Sequence, residues 1–445
     1  MNNLEKTLLA LLMYDTEVYF NYFDRLHIDL FTEPLYRQVY VGITEVIKDS
    51  GVVDVVSVNA KANAGKSIIP DLTDIENHDV FNINPENVIN ELTESFKRLE
   101  LSKLGSILIN SMGTESSKTI SLIGDTMAKL SSSKTNIVEF KEIIDGLITF
   151  INEKKEGLTG IPTGFIEYDR HTKGLQAEDL IIVAGETSMG KTSWAISAIT
   201  NALMYNTPVL FISLEMSAHQ LTARVNSNVH ETSSKDVLFG NMDEQKKTKV
   251  TGELKSIENY PLYIDDSGVS NFDQIINTIK RYKIQKDIQV CVIDYLQLCN
   301  NPTKGGTKEQ EIGDMARGFK NIAKQLKINI IALSQLARDK QNPAPNMNRL
   351  RQSGQIEEAS DQVILLFRPE YYDIPNIDVG GQNYETKGNG VVYIAKGRNV
   401  GTTKFMMNFE PERTRWSDYK PIGNFTPSSA FDDPRIQTNH GDNPF

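Results

Sequence analysis

The pattern of apolar and polar positions divides the chain into two textures. From residue 3 to 130 apolar positions recur every three to four residues, with no strong β-branched alternation. Leu4, Leu8, Leu9, Leu11 and Leu12 line one broad helical face; Val88, Ile89, Leu92, Phe96 and Leu99 do the same between Asn87 and Leu104. Helices of this kind bury their faces against each other, so residues 1–130 are expected to form an all-α N-terminal domain. Between Ala64 and Asn84 the period is poor, Pro70 interrupts it and Pro85 follows, and this stretch reads as a loop.

The polar run Ser131-Ser132-Ser133-Lys134-Thr135 marks a boundary, and a linker is expected over 131–157. Inside it, Phe140 to Ile151 carries apolar residues at helical spacing, followed by Gly157, Gly160, Pro162 and Gly164. Such a helix can dock on its own chain or on a neighbouring subunit, and the sequence leaves both open. From residue 179 the texture changes. Leu180–Ala184, Val209–Leu214, Ile288–Leu298, Asn329–Leu333 and Val363–Phe367 are short apolar runs between helical stretches, the mark of a mostly parallel, buried sheet. Gly390–Ala395 and Lys404–Phe409 predict a hairpin at one edge. An α/β domain is therefore expected over 158–420, with a disordered tail over 421–445, rich in Pro, Asn, Ser and Asp.

At 445 residues, two or three domains are expected. No apolar run approaches the roughly 20 residues that span a bilayer. The first residues carry Glu5 and no basic segment, so a cytoplasmic protein is expected, with no membrane partner. Cys291 and Cys299 lie along one apolar stretch, where a strand holds them too far apart to bridge. The six histidines have no metal-ligand spacing. A net charge of −11 argues against a DNA-coated surface but leaves room for a local basic stripe.

Gly185-Glu186-Thr187-Ser188-Met189-Gly190-Lys191-Thr192 fits the P-loop pattern, with an apolar strand running in and a helix running out. Gly185 and Gly190 let the backbone curl, so that its amides and the helix N-terminus face phosphates. Ser188 and Met189 belong to the same cradle; Lys191 is expected on the β- and γ-phosphates and Thr192 on Mg²⁺. Asp294, near the end of another apolar strand, is the carboxylate expected to hold the metal's water shell. Glu215 follows the apolar run Val209–Leu214, a position from which it can polarise an attacking water. Gln335 follows Ile330–Ser334 in the same way and can sense the γ-phosphate. All fall at the carboxyl edge of one sheet, where open α/β sheets bind ligands.

An ordered series of motifs resembles the DnaB replicative helicases. It begins with Pro162-Thr163-Gly164, Gly174-Leu175-Gln176 and the P-loop, followed by Ser213-Leu214-Glu215-Met216 and Ile293-Asp294-Tyr295-Leu296-Gln297-Leu298. Ala332-Leu333-Ser334-Gln335-Leu336, Arg351-Gln352-Ser353-Gly354-Gln355-Ile356-Glu357 and Ala395-Lys396-Gly397-Arg398-Asn399 complete it. The resemblance covers about residues 158–416, and more weakly 3–130. It implies a RecA-like P-loop motor domain in a homohexamer, ATP and Mg²⁺ between neighbours, and 5′→3′ movement on single-stranded DNA. A primase and a helicase loader are the candidate protein partners. It also implies that Glu215 is the catalytic base, that Arg224 lies near the nucleotide, and that Lys396 and Arg398 reach the next subunit's site, Arg398 as an arginine finger. Glu186 stands where the family usually has a basic residue, and Gln352 where a carboxylate is common.

Arg338, Lys340, Arg349 and Arg351 bracket a loop directly after Gln335, a basic element beside a phosphate sensor. The resemblance places Arg351, Gln352 and Gly354 against the DNA backbone. The segment Pro302–Lys308 is a second, weaker candidate. A RecA-like recombinase and an ATP-binding ring scaffold are the alternatives to the helicase.

Overall fold

The computed structural model describes residues 2–49, 52–62, 67–110, 140–153, 157–230, 232–240, 242–300, 308–339 and 341–420. The expected boundary at 131–135, most of the 302–308 segment, Lys340 and the tail lie outside them. The chain divides into two compact units, Met1–Asn152 and Glu153–Phe445.

The first unit contains α1 (Asn2–Tyr14), α2 (Glu17–Tyr22), α3 (Pro34–Asp49), α4 (Val55–Lys61), α5 (Ile69–Glu76), α6 (Pro85–Asn110) and most of α7 (Phe140–Glu153). Leu8, Leu9 and Leu12 of α1, Val39, Ile43 and Ile47 of α3, and Ile89 and Leu92 of α6 are buried, as their spacing predicts. The segment expected to be a loop holds α5 instead. Pro70 sits in its first turn, where the missing N–H costs no helical bond, and Leu72 and Ile75 are buried. Two apolar anchors in eight residues leave too short a period to read from sequence. Glu5 is buried as well, its carboxylate accepting hydrogen bonds from the Thr32 N–H at 3.0 Å and hydroxyl at 2.6 Å.

The second unit is built on a nine-stranded sheet. Its strands are β1 (Leu180–Gly185), β2 (Val209–Ser213), β3 (Leu262–Asp265), β4 (Val290–Asp294), β5 (Asn329–Gln335), β6 (Gln362–Phe367), β9 (Asn389–Gly397), β10 (Thr403–Glu410) and β11 (Arg415–Asp418), in the order β11-β10-β9-β6-β1-β5-β4-β2-β3. β7 (Asn376–Val379) and β8 (Gln382–Glu385) form a separate hairpin. The pairs from β6 to β3 are parallel, and β9, β10 and β11 add antiparallel strands at one side. The intervening helices are α8 (Ile166–Thr172), α9 (Lys191–Met204), α10 (Ala218–Val229), α11 (Ser234–Phe239), α12 (Glu244–Ser256), α13 (Phe272–Lys286), α14 (Lys308–Leu326) and α15 (Gly354–Ala359). Strand β1 is buried along its whole length between helical layers, which is why its run of apolar residues does not alternate.

The expected strand over 288–298 is shorter than its apolar run. It stops at Asp294, and residues 296–298 form a 3-10 turn that still buries Leu296. Hydrophobicity persists past the strand because the turn is buried too. The four-residue strands β3 and β11 were not legible, since each offers too few positions to show a period. Cys291 and Cys299 are buried and not joined in a disulfide. Among the described residues no helix is long and apolar enough to cross a membrane.

Candidate functional site

Strand β1 ends at Gly185, and the chain curls through 186–190 into the N-terminus of α9. Ser188 (φ 69°) and Gly190 (φ 85°) take left-handed backbone conformations that make the curl possible. A Cβ on Gly190 would stand 2.8 Å from Trp416 Nε1, so only glycine fits. Trp416, from β11, donates its indole N–H to the Gly190 carbonyl at 3.0 Å and its backbone N–H to Ser197 Oγ at 3.0 Å. The antiparallel edge thus pins the phosphate loop.

Lys191 Nζ turns onto the Gly185 and Glu186 carbonyls, both at 3.1 Å. Burial pushes its ammonium below the ordinary lysine range, while Asp294, Glu215 and Glu186 favour the charge. Thr192 donates its hydroxyl to Asp294 Oδ2 at 2.8 Å. Asp294 is 1% exposed, and burial pushes its carboxyl up to about 6 against the opposing pull of Thr192, Lys191 and Arg224. A buried carboxylate beside a hydroxyl is a pair of hard oxygen donors, and a divalent cation there would restore the charge that burial disfavours. The residues therefore fit Mg²⁺.

Glu215 lies two residues past β2 and is exposed. Arg224 comes from α10; burial lowers its pKa, and the negative charges of Asp294 and Glu215 offset part of that. Gln335, the last residue of β5, is paired in register with Gly185. Its side chain donates to Thr187 Oγ1 at 2.9 Å, and its backbone N–H donates to Gln297 Oε1 at 3.2 Å. One sheet edge therefore gathers Gly185, Ser188, Gly190, Lys191, Thr192, Glu215, Arg224, Asp294 and Gln335. Met189 belongs to the loop, but its side chain is buried in the hydrophobic core.

Other predicted residues lie elsewhere. Lys396 and Arg398 stand at the opposite edge of the sheet. Lys396 donates to the Ser360 carbonyl at 2.8 Å and also to that of Glu357; Arg398 reaches Asp361 Oδ1 at 3.3 Å. Arg349 is not free on its loop: its guanidinium is 9% exposed and bound to Glu186 and the Ala337 carbonyl. Arg338 is half exposed, 3.6 Å from Glu186. Arg351, Gln352 and Gly354 fall in the turn 347–353 and the start of α15, and their side chains lie outside the described residues.

Glu186 is 4% exposed. It accepts from Arg349, the Tyr372 hydroxyl and, at 3.3 Å, the Asp339 N–H. Burial pushes its carboxyl up, and the donors from Tyr372, Arg349 and Asp339 outweigh this, leaving it below the ordinary range. Tyr372 is correspondingly pushed up to about 12, by burial first and by Glu186 second. Arg368 donates to the Ser188 carbonyl at 3.2 Å while stacked 4.1 Å from the Phe409 ring centroid. Sequence reasoning missed Arg368, Tyr372 and Trp416, whose places depend on strands far away in the chain. The unusual acid within the P-loop was the one signal available.

Comparisons with known proteins identify the family. The DnaB-like helicase C-terminal domain model matches residues 160–418, and the DnaB-like helicase N-terminal domain model matches 1–94. A probable replicative DNA helicase of Trieres chinensis is 30% identical over 435 residues, covering 93% of this chain and 94% of its own. The replicative DNA helicase DnaC of Bacillus subtilis (strain 168) is 36% identical over 284 residues, 61% of each chain. A solved DnaB-like replicative helicase, described together with its interactions with primase, matches 94% of this chain and 100% of its own at TM-score 0.59 and 21% identity, a likeness of fold. A second solved structure, an isolated ATPase domain, matches 63% of this chain and 99% of its own at TM-score 0.58 and 26% identity. With a family model spanning more than half its length and a relative matched almost end to end, the chain belongs to the DnaB-like helicases and is an ATP-dependent replicative DNA helicase.

Proposed function

We propose that the chain acts as a homohexameric ring that hydrolyses ATP between neighbouring subunits and moves 5′→3′ on single-stranded DNA. The observation that carries this reading is the distance between two halves of one catalytic set. Arg398 is level with Leu180, whose carbonyl accepts from Asp361, while Lys191 sits beyond Gly185. Five steps along β1 separate them, roughly 17 Å at about 3.3 Å per residue. Lys396 and Arg398 are therefore too far from their own phosphate loop and complete a neighbour's.

In this arrangement Glu215 takes the proton of the attacking water. Lys191, Arg224 and the neighbour's Arg398 and Lys396 stabilise charge on the transferred phosphoryl group, aided by the amides of Ser188 and Gly190. Thr192 and Asp294 would hold Mg²⁺, which would supply charge neutralisation. Gln335 relays phosphate loss to the segment after β5, whose Arg338 and Arg349, with Arg351, Gln352 and Gly354, grip the DNA backbone. Phosphate contacts carry no base preference, so little sequence selectivity is expected. Helix α7 docks on the neighbouring subunit, because Phe140, Ile143, Ile144, Leu147 and Ile148 are exposed along it. The cytoplasm is the proposed compartment, with a primase and a helicase loader as protein partners.

Mixing two inactive variants tests the shared site. Neither Lys191→Ala nor Arg398→Ala is expected to hydrolyse ATP alone. Their mixture is expected to recover activity, because the intact phosphate loop of one would meet the intact arginine of the other. No recovery from co-assembled subunits would reject the shared site.

A further inference from the structure

Three consecutive phosphate-loop residues are each held by a segment that follows a neighbouring strand. Thr187 is held by Gln335 at the end of β5, and Ser188 by Arg368 just after β6. Glu186 is held from both sides, by Arg338, Asp339 and Arg349 after β5 and by Tyr372 after β6. The Glu186 carbonyl also accepts from Lys191 Nζ at 3.1 Å. One residue thus touches the lysine that binds phosphate through its backbone and two arginines of the basic segment through its side chain.

We propose that Glu186 is a positioning residue that couples occupancy of the phosphate site to the freedom of Arg338 and Arg349, and so to the grip on DNA. This rests on the reading above that the 338–351 segment contacts single-stranded DNA. A buried carboxylate and a DNA phosphate are alternative partners for the same guanidinium groups, so the two compete. When Lys191 leaves the Glu186 carbonyl for the phosphates of ATP, residue 186 loses a restraint and its hold on the arginines shifts. Because binding free energies are reciprocal, DNA then changes nucleotide affinity by the same factor. An ordinary basic or neutral side chain at this position could not form the latch.

The test uses the full-length assembled protein and a fluorescent oligothymidylate. Its Kd is measured without nucleotide and with a non-hydrolysable ATP analogue and Mg²⁺. For the parent the two values are expected to differ by about fivefold or more. Glu186→Gln keeps the side-chain size but removes the charge; it is expected to melt cooperatively at a lower Tm, because Arg349 loses its buried counter-charge, and to bring the ratio within about twofold of unity, a change that a purely structural role would not produce. Should that variant fail to fold, Arg349→Gln is expected to collapse the same ratio from the other partner. Parental coupling retained in a folded variant overturns the role of Glu186 alone, as does a parent whose DNA affinity ignores nucleotide. A parent that binds no oligonucleotide at all overturns the DNA reading beneath it.

Discussion

The two edges of the central sheet bury charge in different ways. At the amino edge, Asp361 accepts from the Leu180 N–H at 2.8 Å, Lys320 Nζ at 2.6 Å and Arg398 at 3.3 Å. Lys320 also donates to the Glu178 carbonyl at 2.8 Å. At the carboxyl edge, Asp294 takes the Thr192 hydroxyl and is pushed up to about 6 by burial, and Lys191 rests on backbone carbonyls. At the first edge Asp361 has met its charge within the chain and is finished as structure, while the half-exposed Arg398 beside it stays open to an outside partner. The second holds charges in reserve, which on the proposed reading ATP and Mg²⁺ would complete. A saturated cluster stabilises a fold, whereas an incompletely matched one stores binding energy for a ligand.

The contrast predicts opposite outcomes for substitutions at the two edges. The largest effect falls on the reserve edge. Glu215→Gln is expected to lower the steady-state rate of ATP hydrolysis by a factor on the order of 10² to 10³ or more, with Tm nearly unchanged. Unfolding of that variant alongside its loss of activity would break the comparison. Next comes the finished edge. Asp361→Ala strands Lys320 and the Leu180 N–H and is expected to cost about 3 kcal/mol, read as a lower denaturation midpoint in urea. A midpoint matching the parent would show that the cluster is not structural.

The smallest effect sharpens the comparison at a third site. Asp418 accepts from the Ile166 N–H at 2.8 Å, and burial pushes its carboxyl up to about 6. A folded-state pKa above the unfolded value of 3.8 means that the folded chain holds a proton the unfolded chain has released, so stability falls as pH rises from about 4 through 6. Asp418→Asn keeps an acceptor oxygen and has no such titration. It is expected to match the parent near pH 4 and to melt a few degrees higher at about pH 7.5. Parallel pH profiles for the two proteins would show that Asp418 is not the group responsible.

The placement of the candidate site residues was legible wherever it depended on short stretches. The phosphate loop announces itself because its glycines, its lysine and the following helix act within eight residues. Asp294, Glu215 and Gln335 could be placed because each ends or follows an apolar strand, and strand ends of a parallel sheet share an edge. Helix α5 was misread as a loop, and strands β3 and β11 went unseen, because a handful of residues cannot display a period. The partners of Glu186 were beyond reach for a different reason: Arg349 lies 163 positions away and Tyr372 lies 186.

Sequence by itself determined the two textures of the chain, the buried strands and the phosphate-binding loop, since hydrophobic spacing and glycine-permitted backbone turns are local properties. Only the tertiary structure decided what the charged side chains do. It turned Glu186 onto Arg349, seated Trp416 on Gly190, and set Arg398 at the far edge from Lys191. Strand order and register bring such groups together or hold them apart, and these are settled by packing the whole sheet, with no trace in the residues on either side of each charge.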